Sequence, residues 1–324
     1  MHEIIRVSEL TKYFDDVLAV DHISFEVHTG ELFGFLGPNG AGKTTTIKML
    51  TGLARPTSGT ALVGGVDVTG EPKKAQHLMG IVPDESNLYP ELTGFDNLTF
   101  CASLYGMRRD ERRARARELL EMFNLSEAAG RKFETYSKGM KRKLTIAAGI
   151  IHQPPVLFLD EPTTGIDVAS ARQIRQLISE LHKGSTTIFL TTHYIEEAER
   201  LCDRIAFIVQ GRIIRTDSVP ALLQPIQDDH IMEISLSSVN GDLLPGAVGE
   251  FPNYVFESLP GEILRVTSRR PIAVSPIIQY LESKGSQVME ARRIMPSLED
   301  VFVKITGVEA AEMDNDKNKK GKKS

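Results

Sequence analysis

Gly37-Pro38-Asn39-Gly40-Ala41-Gly42-Lys43-Thr44 brackets four residues between two glycines and follows the second with lysine and threonine. This is the phosphate-binding loop pattern, and it stands in the right setting. Before it, Glu31-Leu32-Phe33-Gly34-Phe35-Leu36 is apolar enough for a buried strand; after it, Thr45-Thr46-Ile47-Lys48-Met49-Leu50 begins a helix that Gly52 ends. A polyphosphate must be wrapped by inward-pointing backbone N–H groups, and glycine permits so tight a turn without a Cβ clash. The following helix contributes the positive end of its dipole. Lys43 supplies a point charge for the β- and γ-phosphates, and Thr44 a hydroxyl for Mg²⁺. The expected nucleotide-binding residues here are Gly37, Pro38, Asn39, Gly40, Ala41, Gly42, Lys43, Thr44 and Thr45.

The bulk properties bound the rest. At 324 residues the chain exceeds the comfortable size of one core, which predicts two domains. A net charge of −5 gives no reason to expect a nucleic-acid partner. The two cysteines, Cys101 and Cys202, are too few and too far apart to frame a metal site or a disulfide scaffold, so a reducing, intracellular setting is expected. No apolar run approaches the ~20 residues of a membrane span, and the N-terminus has no secretory pattern.

Residues 1–30 alternate as strands do, through Ile4, Arg6, Ser8, Val20, Ile23, Phe25 and Val27, and end at the turn Thr29-Gly30. Within them Leu10-Thr11-Lys12-Tyr13-Phe14 carries aromatics whose π surface a base can stack on. A short strand follows Pro56-Thr57-Ser58-Gly59, and helical patterning dominates about 95–153. There the arginines of 108–117 alternate with Asp110 and Glu111, the pattern of a solvated helix face rather than an anion site. Val156-Leu157-Phe158-Leu159-Asp160-Glu161 reads as a buried parallel strand delivering two carboxylates at its C-terminal end, where ligands bind in open α/β sheets. Two further buried strands, Thr186–Leu190 and Arg204–Val209, complete a mostly parallel, helix-covered sheet.

Pro220 to Pro225 marks an expected boundary. Beyond it come strands at 231–236, 253–257 and 263–268, a helix near 272–284, a strand near 287–293 and a last helix. Ser297 and Asp300 have the spacing of a capping box for that helix. The lysine-rich end, Asp314 to Ser324, lacks apolar residues and reads as a disordered tail.

Between the two nucleotide motifs stands Tyr136-Ser137-Lys138-Gly139-Met140. With it the chain resembles the ATP-binding cassette (ABC) ATPases across roughly residues 3–220. The pentapeptide is similar to that family's leucine-serine-glycine-glycine-glutamine signature, keeping Ser137 and Gly139 and departing at Lys138 and Met140. That departure resembles the branch serving separately encoded exporter permeases of the daunorubicin-resistance or multidrug type. Thr164-Gly165-Ile166-Asp167 resembles the D-loop and His193 the switch histidine. Glu196 to Asp203 and Leu298-Glu299-Asp300-Val301-Phe302 also match the branch.

The resemblance implies an α/β fold with a P-loop NTPase core over 1–222, a helical subdomain at about 86–155, an α+β accessory domain over 226–308 and a disordered tail over 309–324. It implies ATP and Mg²⁺ as cofactors. Lys43, Glu161, His193 and Asp84 would be catalytic, with Glu161 orienting or deprotonating the attacking water and His193 contacting the γ-phosphate. Thr44, Asp160 and Asp84 would hold the metal. Phe14 would stack on adenine, while Ser137 and Gly139 would complete the nucleotide site of the opposite subunit in a head-to-tail dimer, most simply a homodimer. One position departs: Asp84 stands after Val82-Pro83 where the family generally has glutamine. It can still offer oxygen to Mg²⁺; the alternative is that it faces solvent and Glu85, or nothing, replaces it. The implied partner is an integral membrane permease docking at about residues 84–98, which would hold the protein at the cytoplasmic face of the cell membrane, with no nucleic acid expected. A soluble ABC ATPase acting on ribosomes or nucleic acid is the alternative. The cargo stays open.

Overall fold

The computed structural model describes residues 2–184, 186–227, 230–238, 243–294 and 297–307. The lysine-rich tail and Pro296 lie outside them. The chain divides into two compact units, one formed by Met1–Val219 with residues from Ile305 on, the other by Pro220–Lys304.

The first unit runs β1 (Glu3–Phe14), β2 (Val17–His28), β3 (Leu32–Leu36), α1 (Lys43–Leu50), β4 (Ser58–Val63), β5 (Val66–Asp67), α2 (Pro72–Gln76), β6 (Met79–Val82), α3 (Gly94–Leu104), α4 (Arg109–Met122), α5 (Lys138–Gly149), β7 (Val156–Asp160), α6 (Val168–Lys183), β8 (Thr187–Thr192), α7 (Ile195–Leu201), β9 (Arg204–Val209) and β10 (Arg212–Ser218). Its six-stranded sheet has the order β10-β9-β3-β8-β7-β6, parallel throughout except where β10 turns back antiparallel on β9. Strands β3, β7 and β8 are buried along their whole length, as continuous apolar runs covered on both faces should be. A second, antiparallel sheet, β2-β1-β4-β5, is formed by the alternating N-terminal segment.

The two sheets meet through phenylalanines. Phe25 of β2 stacks on Phe33 with centroids 5.6 Å apart, and Phe189 of β8 touches Phe25, Phe33, Phe35 and Phe158 at 5.5–5.9 Å. Each ring removes some 150–250 Å² from water, so this cluster contributes heavily to holding the strand ends in register.

Helices α3 to α5 form the helical segment expected over about 95–153. Thr93 caps α3 by accepting from the Asp96 N–H at 3.0 Å, and Ser137 caps α5 by accepting from the Met140 N–H at 3.2 Å. Helix α4 buries Ala116, Leu119 and Leu120. Of its arginines, Arg115 pairs with Glu118 at 2.6 Å, while Arg113 and Arg117 lie over the Phe95 ring. The charge run is a helix face with local partners.

Helix α8 (Val219–Gln227) spans the division between units. The second unit contains β11 (His230–Leu236), α9 (Leu243–Glu250), β12 (Val255–Leu259), β13 (Ile263–Ser268), α10 (Val274–Ser283) and β14 (Val288–Ile294), and α11 (Leu298–Thr306) begins in it. Its antiparallel sheet, β12-β13-β11-β14, packs Ile234, Leu264, Val266 and Phe256 against Leu243, Ile277 and Leu281. The capping box is present: the Ser297 N–H donates to Asp300 at 3.0 Å and the Asp300 N–H to the Ser297 hydroxyl at 3.4 Å. Helix α9 was not expected, because Pro245, Gly246 and Gly249 interrupt its apolar pattern.

The Phe189 ring is the common neighbour of the aromatic cluster. Phe189→Ala should therefore lower the unfolding free energy by about 3–5 kcal/mol, measured by urea titration of the full chain; a loss below about 1 kcal/mol would show that the cluster does not join the sheets.

Candidate functional site

Parallel strands carry their C-terminal ends to one edge, and the register brings the expected site residues there. Leu36 pairs with Thr192, Asp160 with Thr191, and Val82 with Leu159. The glycine-rich loop after β3, the carboxylates at the end of β7, His193 after β8 and Asp84 after β6 therefore share that edge.

The loop closes on α1 as expected. Gly42 has φ +102°, a left-handed conformation costly for any residue with a Cβ, and such a Cβ would meet the Ala19 carbonyl oxygen at 2.6 Å. Lys43 is 5% exposed. Its ammonium donates to the carbonyls of Gly37 and Pro38 at 2.8 and 3.1 Å and lies 3.1 Å from Glu161 Oε1. Thr44, exposed in the first turn of α1, and Asn39 and Gly40 face solvent; Ala41 is buried, and Pro38 and Thr45 are half-buried. The Thr46 hydroxyl returns to the Gly42 carbonyl at 2.9 Å and tightens the turn.

Glu161 is the centre of the site. It lies in the left-handed region with φ +48°, unusual for a residue other than glycine. One carboxylate oxygen faces Lys43; the other accepts from the Thr164 hydroxyl at 2.8 Å and is hydrogen-bonded to His193 Nδ1. Burial alone would raise this carboxyl. The His193 hydrogen bond and the Lys43 charge outweigh it and hold the group at about 2. The imidazole of His193 is buried against the Tyr194 ring, centroids 4.0 Å apart.

Asp160, 3% exposed, accepts from the Thr191 hydroxyl at 2.5 Å. Asp84 is exposed as a whole, yet partial screening from water and the carboxylates of Glu161 and Asp160 push its carboxyl above the ordinary range, against the pull of Arg142. Asp84 thus belongs to the same charge cluster as Asp160 and Glu161. Among the described residues no three His, Cys, Asp or Glu side chains come close enough to hold a metal ion by themselves. The donors present suit a hard cation that takes its remaining ligands from phosphate and water: the Thr44 hydroxyl at the helix start and the Asp160 carboxylate at the strand end.

Phe14 ends β1 beside the turn to β2, 49% exposed, with the Lys12 ammonium 4.8 Å from its ring centroid; Tyr13 is 43% exposed. Ser137 and Gly139 lie at the N-terminus of α5. The Ser137 oxygen is engaged as the cap, leaving its O–H as a donor. Gly139 has a packing reason as well: a Cβ there would lie 2.3 Å from the Ser170 hydroxyl and 4.0 Å from Asp167, which itself caps α6. The signature loop and the Thr164–Asp167 loop are thus packed together within one chain.

Three contributors escape a reading of the sequence alone. Thr191 orients Asp160, and its carbonyl accepts from the Glu161 N–H at 3.1 Å. Glu197, in the first turn of α7, accepts from Thr163 at 2.8 Å; burial, aided by the charge of Glu161, raises its carboxyl. Arg142 binds backbone on two loops. For Thr191 a signal existed, since a pair of threonines ending an apolar strand offers hydroxyls at the ligand edge. The other two act across long sequence separations and leave no local trace.

A model of the ABC transporter family matches residues 20–164. The linearmycin resistance ATP-binding protein LnrL of Bacillus subtilis is 36% identical over 306 residues, covering 94% of this chain and 98% of LnrL. The daunorubicin resistance ATP-binding protein DrrA2 of Streptomyces coeruleorubidus is 35% identical over 305 residues, covering 94% and 95%. Among solved structures, the dimeric post-hydrolysis state of the ATP-binding cassette MJ0796 bound to ADP and Pi superposes with a TM-score of 0.61 at 27% identity, over 66% of this chain and 98% of that one. With its nucleotide loop, paired strand-end acids and His193 gathered on one sheet edge, this chain belongs to the ABC transporter family, as an ATP-binding and ATP-hydrolysing protein of the same branch as these resistance proteins.

Proposed function

We propose that this ATPase drives an exporter whose membrane-spanning permease is a separate polypeptide, and that it works as a homodimer at the cytoplasmic face of the membrane. The observation that carries the catalytic part is the convergence of Lys43, Glu161 and His193 at the nucleotide loop. The export part is supported by the names of LnrL and DrrA2, both resistance ATP-binding proteins. No helix among the described residues is long and apolar enough to cross a membrane, so such a protein needs a membrane partner to move cargo.

In this reading the loop N–H groups and Lys43 bind the β- and γ-phosphates, Phe14 stacks on the base, and Glu161 acts on the attacking water. Thr44 and Asp160 would hold Mg²⁺, with Asp84 touching it directly or through water; when bound, the ion neutralises charge on the phosphates. His193 meets the γ-phosphate. Ser137 and Gly139 of one subunit close over the nucleotide of the other, the O–H of Ser137 donating to phosphate at the positive end of α5. We assign the ATPase domain to 1–222, with its helical subdomain at about 86–155, and an accessory role to 226–308.

A permease surface is supported by the segment between β6 and α3. Asn97, fully buried, accepts from the Tyr89 N–H at 2.9 Å and donates to the Tyr89, Leu92 and Thr93 carbonyls at 3.0–3.4 Å, tying that segment to α3. Beside it Tyr89 and Phe100 meet edge to face at 5.0 Å; both are exposed, as is Leu104 at 67%. A rigid loop next to exposed apolar side chains suits a protein partner.

Three outcomes test these assignments. Crosslinked pull-down of the tagged protein from its own cells should recover an integral membrane protein with several apolar spans; ribosomal or nucleic-acid-bound proteins with no membrane partner would overturn the exporter reading. Glu161→Gln should reduce phosphate release by at least about a hundredfold while favouring an ATP-bound dimer in size-exclusion chromatography; undiminished release removes Glu161 from its role. Asp84→Gln should weaken the Mg²⁺ dependence of ATP affinity in equilibrium binding, and an unchanged dependence would mean that Asp84 does not touch the ion.

A further inference from the structure

Arg142 is 3% exposed, on the buried side of α5, and its guanidinium donates to backbone carbonyls. Its Nε donates to the Pro162 carbonyl at 2.9 Å and one terminal nitrogen to the Asp160 carbonyl at 2.7 Å. The other terminal nitrogen donates to the Asp84 carbonyl at 3.0 Å and to that of Pro83. One rigid, planar guanidinium thus holds four backbone carbonyls on two separate segments, the turn after β6 and the strand end of β7 with the turn that follows.

Those segments carry Asp84, Asp160 and Glu161. A guanidinium offers five N–H donors in a fixed fork, so its partners cannot slide relative to one another without breaking bonds. Burying a permanent cation is costly unless its hydrogen bonds are made. Simple support of these turns would need no charge; a cation here also lies among Asp84, Asp160, Glu161 and Glu197, all of which act on it electrostatically. Its hydrogen-bond partners differ from those of Lys43, which bonds to Gly37, Pro38 and Glu161. The clamp therefore bears directly on the hydrolytic end of the site and reaches the phosphate cradle only through the Lys43–Glu161 pair.

We propose that Arg142 is a positioning residue for ATP hydrolysis, fixing the turn that bears Asp84 against the segment Asp160–Pro162 so that the Glu161 carboxylate and the metal-binding oxygens keep their spacing. This deepens the reading in which Glu161 acts on the attacking water, and it rests on that reading. The same guanidinium stands five residues beyond Ser137 on one helix, so the signature end of α5 is tied to the hydrolytic end of its own subunit.

The test uses the purified full chain. Turnover is followed by phosphate release with Mg²⁺ and saturating ATP, affinity by equilibrium binding of ATP, and folding by thermal melting. Arg142→Gln should lower kcat by at least about tenfold while the ATP Kd shifts by less than about threefold. Arg142→Lys, whose ammonium keeps the charge but has three donors and no planar fork, should recover part of the loss and still fall at least about threefold short of the parent chain. Where Arg142→Gln melts below the assay temperature, Arg142→Lys is judged by the same separation of kcat from Kd. Turnover within about twofold of the parent, or a Kd that weakens in proportion to kcat, would overturn the proposal. Glu161→Gln run alongside separates the two ideas: if it hydrolyses ATP at the parent rate, the assignment of Glu161 fails, whereas the Arg142 result is decided by its own kcat and Kd.

Discussion

The buried pair of Lys43 and Glu161 is the interaction on which the rest of the site depends. At 3.1 Å, with side chains 5% and 10% exposed, neither charge has enough water to stand alone. Removing one partner from a pair this buried leaves an uncompensated charge, a loss of about 3–5 kcal/mol. The pair also binds together three strand ends: Lys43 holds the carbonyls of the loop after β3, Glu161 ends β7, and His193 joins it from the end of β8. The phenylalanine cluster beneath keeps those strands in register. Packing supplies the platform and electrostatics its upper surface.

Acids outnumber bases at this edge. Asp84, Asp160, Glu161 and Glu197 all act electrostatically on Arg142, and Lys43 adds the second cation. The protein relieves the excess in two ways. It raises the carboxyls of Glu197 and Asp84, both chiefly by burial and both with repulsion from Glu161. It also supplies hydroxyl donors, Thr163 to Glu197, Thr164 to Glu161 and Thr191 to Asp160. Such an edge is electrostatically short of positive charge, which agrees with chemistry carried out on a nucleotide accompanied by a divalent cation.

Features written in consecutive residues were legible in the sequence. The nucleotide loop, the buried strands read at Val156–Glu161 and Thr186–Leu190 and the capping box at Ser297 and Asp300 each depend on neighbours a few positions away, and each is found, the strands at Val156–Asp160 and Thr187–Thr192. What escaped depends on pairing across the chain. β10 turns back antiparallel on β9 because Gln210 and Gly211 both adopt positive φ, and its moderate apolarity gave no strand signal. Arg142 sits in a lysine- and arginine-bearing stretch, and its partners lie 18 to 59 residues away. The reading of Gly139 was incomplete in the same way, since the hydroxyl that requires a glycine there belongs to Ser170.

The acidity of Glu161 bears on how a carboxylate so tightly held could act on water. A group near pKa 2 is a poor base, and its weakness has named causes: the hydrogen bond from His193 and the charge of Lys43, working against burial. In the proposed mechanism both partners have a better ligand in the γ-phosphate, which carries more charge than one carboxylate. As Lys43 and His193 turn toward phosphate, the two largest influences lowering the pKa weaken, while the burial that raises it stays. In that mechanism the carboxylate gains basicity as nucleotide takes up its partners. In the proposed mechanism the contacts that hold the site together are also those that restrain its carboxylate, so a buried ion pair that contributes little net stability has a chemical reason to be there.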